Sequence, residues 1–256
     1  MPDSQGSVWV IGGSSGIGRA VAVRLAARGR RVAVSGRDGD RVNAVVSEIV
    51  EDGGTATPVV LDATRPEEVC EAAARVEEWT GGLETLVHCA GTNVKERWWD
   101  DLSTEALDRI VHTNLSSVAY GILAVLPGMR TRRDGRVVVV SSWAAWQYLS
   151  LAGSAYSASK AGLGPLVASV NDQEGRNGIR ATLVCPGEVA TPLMLDRPEP
   201  PSDEDLARML QPEDLAAAAD YVVSQPPRVC VNELVVSPAW NRFYERSGAH
   251  VGGAPD

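Results

Sequence analysis

The chain is poor in the residues that build metal sites and disulfide frameworks. It has three histidines and four cysteines. The cysteines, Cys70, Cys89, Cys185 and Cys230, are far apart and show none of the short spacings typical of metal ligands. Cys89 and Cys185 also fall within apolar strand patterns. We therefore expect reduced thiols, a cytoplasmic protein and no bound metal.

Positive charge and long apolar runs are also scarce. Lysine and arginine number 24 against 33 aspartate and glutamate residues, which gives a formal net charge of −9 at pH 7. This balance argues against general attraction to nucleic acid or anionic lipid. No uninterrupted apolar stretch is long enough to span a bilayer, and residues 1–6 lack the basic and apolar regions of a signal peptide. The sequence predicts a soluble protein with neither a nucleic-acid nor a membrane partner.

What the chain has in quantity is short β-branched runs that alternate with helical patterns. Its 256 residues, 44% of them hydrophobic, suit one large domain. Continuous apolar strands separated by helices predict a Rossmann-like, doubly wound α/β domain, with a seven-stranded parallel sheet and helices on both faces. The predicted strands are 8–11, 31–35, 57–61, 83–89, 136–140, 179–184 and 231–236. The main later helices are predicted over 41–51, 66–79, 103–126, 155–174 and 213–224.

Two segments depart from this pattern. Residues 196–205 are acidic and rich in proline, which predicts a mobile, substrate-side segment near 190–212. Residues 247–256 read as a flexible tail. The single domain is therefore expected to span residues 1–246.

A glycine-rich turn directly follows the first strand. Gly12, Gly16 and Gly18 separate that strand from a helical pattern. Glycines permit a tight turn and let the backbone approach a pyrophosphate, whose charge then lies at the positive end of the helix. The spacing Gly-x-x-x-Gly-x-Gly differs from the usual dinucleotide fingerprint. Its position after the first strand nevertheless indicates a phosphate site.

A tyrosine and a lysine four residues apart, Tyr156 and Lys160, indicate a proton-donating site. A phenol, with an unperturbed pKa of about 10, is a poor acid at neutral pH and needs a nearby cation to stabilise the phenolate. A lysine at i+4 lies on the same face of a helix and supplies that cation. Taken alone, the pair also fits an ordinary amphipathic surface helix. The motifs around it favour the chemical interpretation.

Together these motifs resemble the short-chain dehydrogenase/reductase family over nearly the whole chain, from Val8 to about Pro238. The resemblance implies a dinucleotide-binding enzyme that acts on alcohols and carbonyl compounds. It also implies a homodimer or homotetramer assembled through helices 103–126 and 155–174. The matching motifs, in the family's order, are residues 12–18, Leu61-Asp62-Ala63, Cys89-Ala90-Gly91, Asn114, Ser142, Tyr156 with Lys160, and residues 186–191.

The resemblance assigns a role to each catalytic candidate. In the family, the tyrosine donates a proton to the carbonyl oxygen as hydride arrives from the nicotinamide, and a serine holds that oxygen. These roles fall to Tyr156 and Ser142. Lys160 would hold the nicotinamide ribose and lower the tyrosine pKa, and Asn114 would anchor a water for proton relay or satisfy a helix irregularity. Ser142 lies one position further from Tyr156 than is commonest, so Ser141 is the second choice.

Cofactor preference is indicated at the end of the second strand. Dinucleotide folds that prefer NAD carry an acidic residue there, whereas this chain has Gly36 followed by Arg37. A guanidinium without a carboxylate favours a 2′-phosphate and predicts NADP(H). A solvated surface arginine is the alternative. The resemblance implies further cofactor contacts from Gly12, Ser14, Ser15, Gly16, Ile17, Gly18, Asp62, Ala63, Ala90, Gly91, Tyr156, Lys160, Pro186, Gly187, Val189 and Thr191.

Aromatic residues follow two of the predicted strands. Trp98 follows the fourth, and Trp143, Trp146 and Tyr148 follow the fifth. Both loops emerge at the carboxyl edge of the sheet, where ligands bind. An aromatic pocket for a flat apolar or aromatic ketone is one interpretation, and packing of loops or subunits is the other. Glu188 could face substrate or solvent, and no basic cluster marks a carboxylate site.

We therefore expect an NADPH-dependent reductase of ketones or aldehydes, reversible as an alcohol dehydrogenase and active in specialised metabolism. A weaker resemblance of residues 232–238 to NADP-dependent 3-hydroxy acid dehydrogenases and clavulanate-type aldehyde reductases leaves oxidation of a hydroxy acid or amino-hydroxy acid open. An NADP-binding redox sensor without catalysis is the non-enzymatic alternative. The presence of Asn114, Ser142, Tyr156 and Lys160 argues against it.

Overall fold

A computed structural model describes residues 6–241 of the chain. Seven parallel strands form one sheet in the order β3-β2-β1-β4-β5-β6-β7, which confirms the doubly wound α/β fold. The strands are β1 Ser7–Ile11, β2 Arg31–Gly36, β3 Thr55–Val60, β4 Thr85–His88, β5 Gly135–Val140, β6 Ile179–Pro186 and β7 Glu233–Val236. The helices are α1 Gly16–Ala27, α2 Gly39–Glu51, α3 Pro66–Thr80, α4 Thr104–Val111, α5 Ser117–Arg132, α6 Ser154–Ala161, α7 Leu163–Glu174, α8 Asp203–Arg208 and α9 Pro212–Val223. The predicted tail at 247–256 lies outside the described residues.

The sheet is apolar on both faces because helices cover both. Along β1, Trp9 and Ile11 join a core cluster with α3, α5 and α7, whereas Val8 and Val10 join a second cluster with α1, α2 and α9. All four side chains are buried. Burial of each such side chain contributes about 1.5–3 kcal/mol. This explains why the central strands read as continuous apolar runs.

The site is positioned by a change of winding direction beside β1. The chain builds β2 and β3 on one side of β1, then crosses to place β4 on the other side. The loops after β1 and β4 therefore diverge at the carboxyl edge of the sheet and open a crevice there. Candidate residues that end these strands meet at this crevice.

The sequence predicted one continuous helix over 103–126, and this prediction was wrong. A π-helical turn, His112–Ser116, separates α4 from α5, and α5 continues to Arg132. Such turns carry one extra residue and occur often at functional sites. The helix predicted over 155–174 is likewise divided, at Gly162, into α6 and α7. Both interruptions lie beside the catalytic candidates.

The stretch Thr104–Arg132 is long and apolar enough, by length and composition alone, to cross a membrane. In the structure, Val118, Ile122 and Met129 of this stretch are buried in the cluster that packs on the sheet. A buried core helix passes the same compositional test. The stretch is therefore explained by the core of this fold.

The segment predicted as mobile contains regular structure. It begins with a 3₁₀ turn, Pro192–Asp196, and α8 follows with a capping box formed by Ser202 and Asp205. A parallel bridge pairs Val189 with Leu210. These contacts fold the segment back over the carboxyl edge, and its mobility remains a prediction.

Candidate active site

A cavity of about 880 Å³ follows the carboxyl edge of the sheet from the end of β2 to the beginning of α6. Every residue predicted to contact the cofactor lines it. These residues are Gly12, Ser14, Ser15, Gly16, Ile17, Gly18, Arg37, Asp62, Ala63, Ala90, Gly91, Tyr156, Lys160, Pro186, Gly187, Val189 and Thr191. Among residues 6–241, no group of three or more His, Cys, Asp or Glu side chains is arranged to hold a metal ion. We call this the large cavity.

The glycine turn forms one wall of the large cavity from backbone alone. Gly12 has φ +79°, and a Cβ at this position would lie 2.5 Å from the backbone nitrogen of Ala90. A Cβ on Gly18 would lie 2.0 Å from the carbonyl oxygen of Gly12. Ser15, which precedes α1, makes no side-chain capping bond to any described residue. The first amides of α1 are thus available to an anionic group.

The far end of the large cavity is lined by two arginines and two carboxylates, which are Arg37, Arg41, Asp38 and Asp62. Arg37 lines it, is exposed, and forms no ion pair with any residue in 6–241. Asp38 pairs instead with Arg41, with 2.8 Å between Oδ2 and Nε. A Cβ on Gly36 would lie 2.7 Å from Ser14 Oγ. A carboxylate at position 36 therefore has no room without a shift of Ser14.

Tyr156 and Lys160 meet at the other end of the large cavity. The ammonium nitrogen of Lys160 lies 5.9 Å from the centroid of the Tyr156 ring and donates a 3.0 Å hydrogen bond to the carbonyl of Val140. The lysine side chain is buried beneath Gly91, where a Cβ would lie 3.3 Å from Nζ. Burial lowers the pKa of Lys160 to about 8.

The environment of Tyr156 contains more charged groups than Lys160 alone. Burial raises the pKa of its phenol. A hydrogen bond with Ser142 and the charges of Arg197 and Arg97 act in the opposite direction. The charges of Arg197 and Arg97 therefore act on the phenol together with the ammonium of Lys160, which lies 5.9 Å from the ring centroid, and the role of Lys160 stays a prediction.

Of the two candidate serines, Ser142 is the one that meets Tyr156. Its side chain hydrogen-bonds to the phenol, and its Oγ accepts a bond of 3.1 Å from the amide of Ala144. Ser141 Oγ instead donates to the carbonyl of Lys160 at 3.2 Å. Ser142 follows β5 and is placed by the 3₁₀ turn Trp143–Ala145.

Asn114 lies within the π-helical turn and is fully buried. Its Oδ1 accepts from the amide of Thr92 at 2.7 Å, and its Nδ2 donates to the Thr92 carbonyl at 3.0 Å and to Ser159 Oγ at 3.1 Å. Ser159 Oγ in turn donates to the carbonyl of Tyr156 at 2.7 Å. The amide therefore ties the loop after β4 to the helix that carries Tyr156.

A second, smaller cavity of about 90 Å³ adjoins the large one. We call it the small cavity. Of the predicted substrate residues, it brings together Trp143 and Glu188. The other three do not line it: Trp98 is 41% exposed, Trp146 is 52% exposed and Tyr148 is 63% exposed. Trp146 Nε1 donates to Glu233 Oε1 at 2.6 Å, which joins the loop after β5 to the first residue of β7.

Two arginines that the sequence interpretation missed also line the small cavity. Arg197 pairs with Glu188, with 2.6 Å between Nη1 and Oε1, and both side chains are buried. Arg97 is also buried and packs against Gly153, where a Cβ would lie 2.8 Å from the Cβ of Arg97. Both arginines follow strands that end at the carboxyl edge of the sheet. This position in the sequence could have identified them as residues near the site. The sequence shows no basic cluster that marks a carboxylate site, because these two arginines lie on distant loops that only the fold brings together.

Known proteins resemble this chain over nearly all of its length. The sequence profile of the short chain dehydrogenase family matches residues 7–201. An uncharacterized oxidoreductase of Staphylococcus saprophyticus is 32% identical over 90% of this chain and 95% of the relative. Another uncharacterized oxidoreductase, from Staphylococcus haemolyticus, is 33% identical over 93% of this chain and 100% of the relative.

Solved structures agree with these sequence matches. An alcohol dehydrogenase from the archaeon Thermococcus sibiricus, complexed with 5-hydroxy-NADP, superposes with a TM-score of 0.82 at 26% identity, covering 93% of this chain and 98% of that one. A variant of actinorhodin polyketide ketoreductase with NADPH gives a TM-score of 0.83 at 29% identity, covering 92% of this chain and 97% of that one. With its sheet order, glycine turn and Tyr156–Lys160 pair at the carboxyl edge, the chain belongs to the short chain dehydrogenase family of oxidoreductases.

Proposed function

We propose that this protein is an NADPH-dependent carbonyl reductase that also works in reverse as an alcohol dehydrogenase. The observation that carries the proposal is the junction of the two cavities. Both are lined by Ser142 and Tyr156. A carbonyl compound in the small cavity would present its oxygen to these two hydroxyl groups, while the large cavity, with a volume of about 880 Å³, would hold a dinucleotide beside it.

The residues of the large cavity fit NADP(H). The glycine turn and the first amides of α1 would hold the pyrophosphate, because the turn lines the large cavity and these amides have no partner within the helix. Arg37 would bind the 2′-phosphate through charge-assisted hydrogen bonds, and the closed space at Gly36 disfavours an acidic residue there. When bound, the nicotinamide supplies or accepts a hydride. The complexes of the two solved relatives with 5-hydroxy-NADP and NADPH support this choice.

The side chains around the junction provide the proton chemistry. Because burial raises its pKa, Tyr156 is neutral at neutral pH and can donate its proton to the carbonyl oxygen. Ser142 holds the same oxygen. The charges of Arg97 and Arg197 favour the phenolate that remains. A hydrogen-bond donor that is already positioned at a developing oxyanion lowers the free energy of the transition state by about 2.7–4 kcal/mol.

Replacement of Tyr156 tests the proposal. Tyr156→Phe removes the donor and keeps the ring, so we expect kcat to fall by about 10²–10⁴-fold on a panel of ketones and aldehydes. NADPH affinity, measured by fluorescence titration, should change little. The control is Tyr221→Phe, which removes a hydroxyl from the exposed face of α9. Turnover of Tyr156→Phe equal to that of the parent would contradict the role of Tyr156 as proton donor, and the absence of turnover in the parent would favour a redox sensor without catalysis.

The proposal extends to the location and assembly of the protein. All four cysteines are free, which supports a reducing, cytoplasmic location. The helices α4 to α7 are the proposed contact surface of a homodimer or homotetramer, and Leu123 on α5 is 66% exposed there. Light scattering of the purified protein measures the number of subunits.

A further inference from the structure

Arg97 is a buried cation without a carboxylate partner. Its side chain is 4% exposed. Nη1 donates to the carbonyl of Leu151 at 3.0 Å, and Nη2 donates to that of Asp196 at 2.8 Å. Nε is buried and finds no hydrogen-bond partner among residues 6–241, and no acidic side chain in that range comes within 4.0 Å of the guanidinium. Neutral carbonyls satisfy some donors but leave the charge uncompensated.

The other charged groups around Arg97 do not neutralise it. Arg197 is already matched by Glu188 in a buried pair, so this pair adds no net charge to the small cavity. Asp196 and Glu96 act on Arg97 through their fields, but both side chains are exposed to solvent, where screening is strong. The small cavity therefore has a net positive charge, supplied by Arg97.

This positive charge lies where the substrate of the proposed reductase would bind. Arg97, Ser142 and Tyr156 line the same small cavity. A guanidinium has five N–H donors in a planar fork that matches a carboxylate, and the described contacts use two of the five. A buried cation is costly unless an anion pairs with it, so the missing anion is expected to arrive with the substrate.

We propose that the substrate is a compact oxo acid whose carboxylate binds to Arg97 while its carbonyl group faces Ser142 and Tyr156. This inference rests on the proposed function and makes it specific. In the reaction, the carbonyl carbon gains a hydride and the carbonyl oxygen gains a proton from Tyr156, which yields a hydroxy acid. The carboxylate is unchanged. The volume of about 90 Å³ favours a short chain over a large aromatic ketone.

The first test compares acids with their uncharged counterparts in the parent protein with NADPH. Short 2-oxo and 3-oxo acids are each paired with the corresponding methyl ester. We expect kcat/KM to favour the acid by on the order of 10²-fold, as for a buried charge pair. Equal values for acid and ester would overturn the inference while the reductase activity stands.

The second test removes the cation. In Arg97→Gln the preference for the acid should disappear through a higher KM for the acid, whereas the loss of the Arg97 charge beside Tyr156 should lower kcat equally for acid and ester. The control, Arg228→Gln, removes one exposed positive charge from outside both cavities and should keep the parent's preference. An unchanged preference in Arg97→Gln would overturn the inference.

Arg97 also donates hydrogen bonds to the loop carbonyls of Leu151 and Asp196, so its replacement could disturb the fold. A third measurement therefore uses only the parent protein. The parent in complex with NADPH is titrated with butyrate and with butyramide. Butyrate should bind and butyramide should not, and equal affinity for the two would overturn the inference. If no carbonyl compound is turned over, the proposed function fails, and this titration decides the anion site on its own.

Discussion

The large and the small cavity are built in different ways. The large cavity is formed by short contiguous motifs, such as the glycine turn, whose backbone must come close to a ligand. The small cavity is formed by side chains from four separate segments, represented by Arg97, Trp143, Tyr156 and Glu188. A local motif is visible in a sequence, whereas a meeting of distant side chains is not. The residues that line the large cavity could therefore be named from the sequence, whereas most of those that line the small cavity could not.

The two cavities also use arginine differently. Arg37 is exposed and can be screened by solvent, so its contribution to affinity is modest. Arg97 is buried, so an unmatched charge there is costly and a matching anion gains more. In the proposed reductase, the exposed arginine would therefore tune the choice between two cofactors, while the buried one would decide which substrates bind.

In the large cavity, the largest effect on stability and NADPH affinity is expected when a methyl group is added at Gly18. In Gly18→Ala the new Cβ would lie 2.0 Å from the Gly12 carbonyl oxygen, so the turn must move. We expect a loss of about 1–3 kcal/mol in the free energy of unfolding. NADPH affinity should fall by on the order of 10²-fold. Urea denaturation and NADPH titration measure the two quantities.

The matched control is Gly164→Ala in α7, where nothing lies within 4 Å of the added Cβ. Because alanine favours a helix, this variant should gain up to about 1 kcal/mol and bind NADPH normally. If Gly18→Ala behaved like Gly164→Ala, the claim that close backbone approach builds the large cavity would fail.

A smaller effect is expected at the exposed end of the same cavity. Arg37→Gln should lower NADPH affinity by about tenfold, since it removes a charge-assisted contact with the phosphate, and should leave NADH affinity unchanged. Arg75→Gln on α3, also exposed, is the control for loss of charge. Parent protein that binds NADH as tightly as NADPH would contradict the role of Arg37.

The smallest effect at neutral pH is expected beneath both cavities, at His88. The residue is fully buried at the end of β4, and its Nε2 lies 3.2 Å from Ser117 Oγ. Burial lowers the pKa of His88 from 6.5 to about 3. Between pH 6.5 and pH 3, His88 therefore binds a proton in the unfolded chain but not in the folded chain. The contribution of His88 to the free energy of unfolding is therefore fully present above pH 6.5. It falls by about 1.4 kcal/mol per pH unit as the pH is lowered from 6.5 toward 3.

His88→Asn removes this titration, so the variant should lose less stability than the parent between pH 6.5 and pH 4. Urea midpoints across this range give the difference. His112→Asn, at an exposed histidine in the π-helical turn, should follow the parent. Identical pH profiles for all three proteins would show that the buried imidazole does not couple folding to acid.

The sequence was sufficient to predict the position of a residue wherever local geometry and strand order determine that position. Seven strand patterns predicted seven parallel strands, and residues at their carboxyl ends reached the large cavity because parallel strands share that edge. It was insufficient at the π-helical turn, whose Asn114 bonds to Thr92 and Ser159 exist only after folding. The tryptophans show the same limit, since a residue may follow a strand and still point away from the cavity.

The chain by itself determined the strand and helix patterns, the glycine turn and the spacing of Tyr156 and Lys160, since each depends on neighbours within a few residues. Only the tertiary structure decided which charges act on the phenol. Burial and the meeting of distant loops isolate Arg97 and pair Arg197 with Glu188. Electrostatic energy depends on distance and on exclusion of water, and both are set only when the loops pack together.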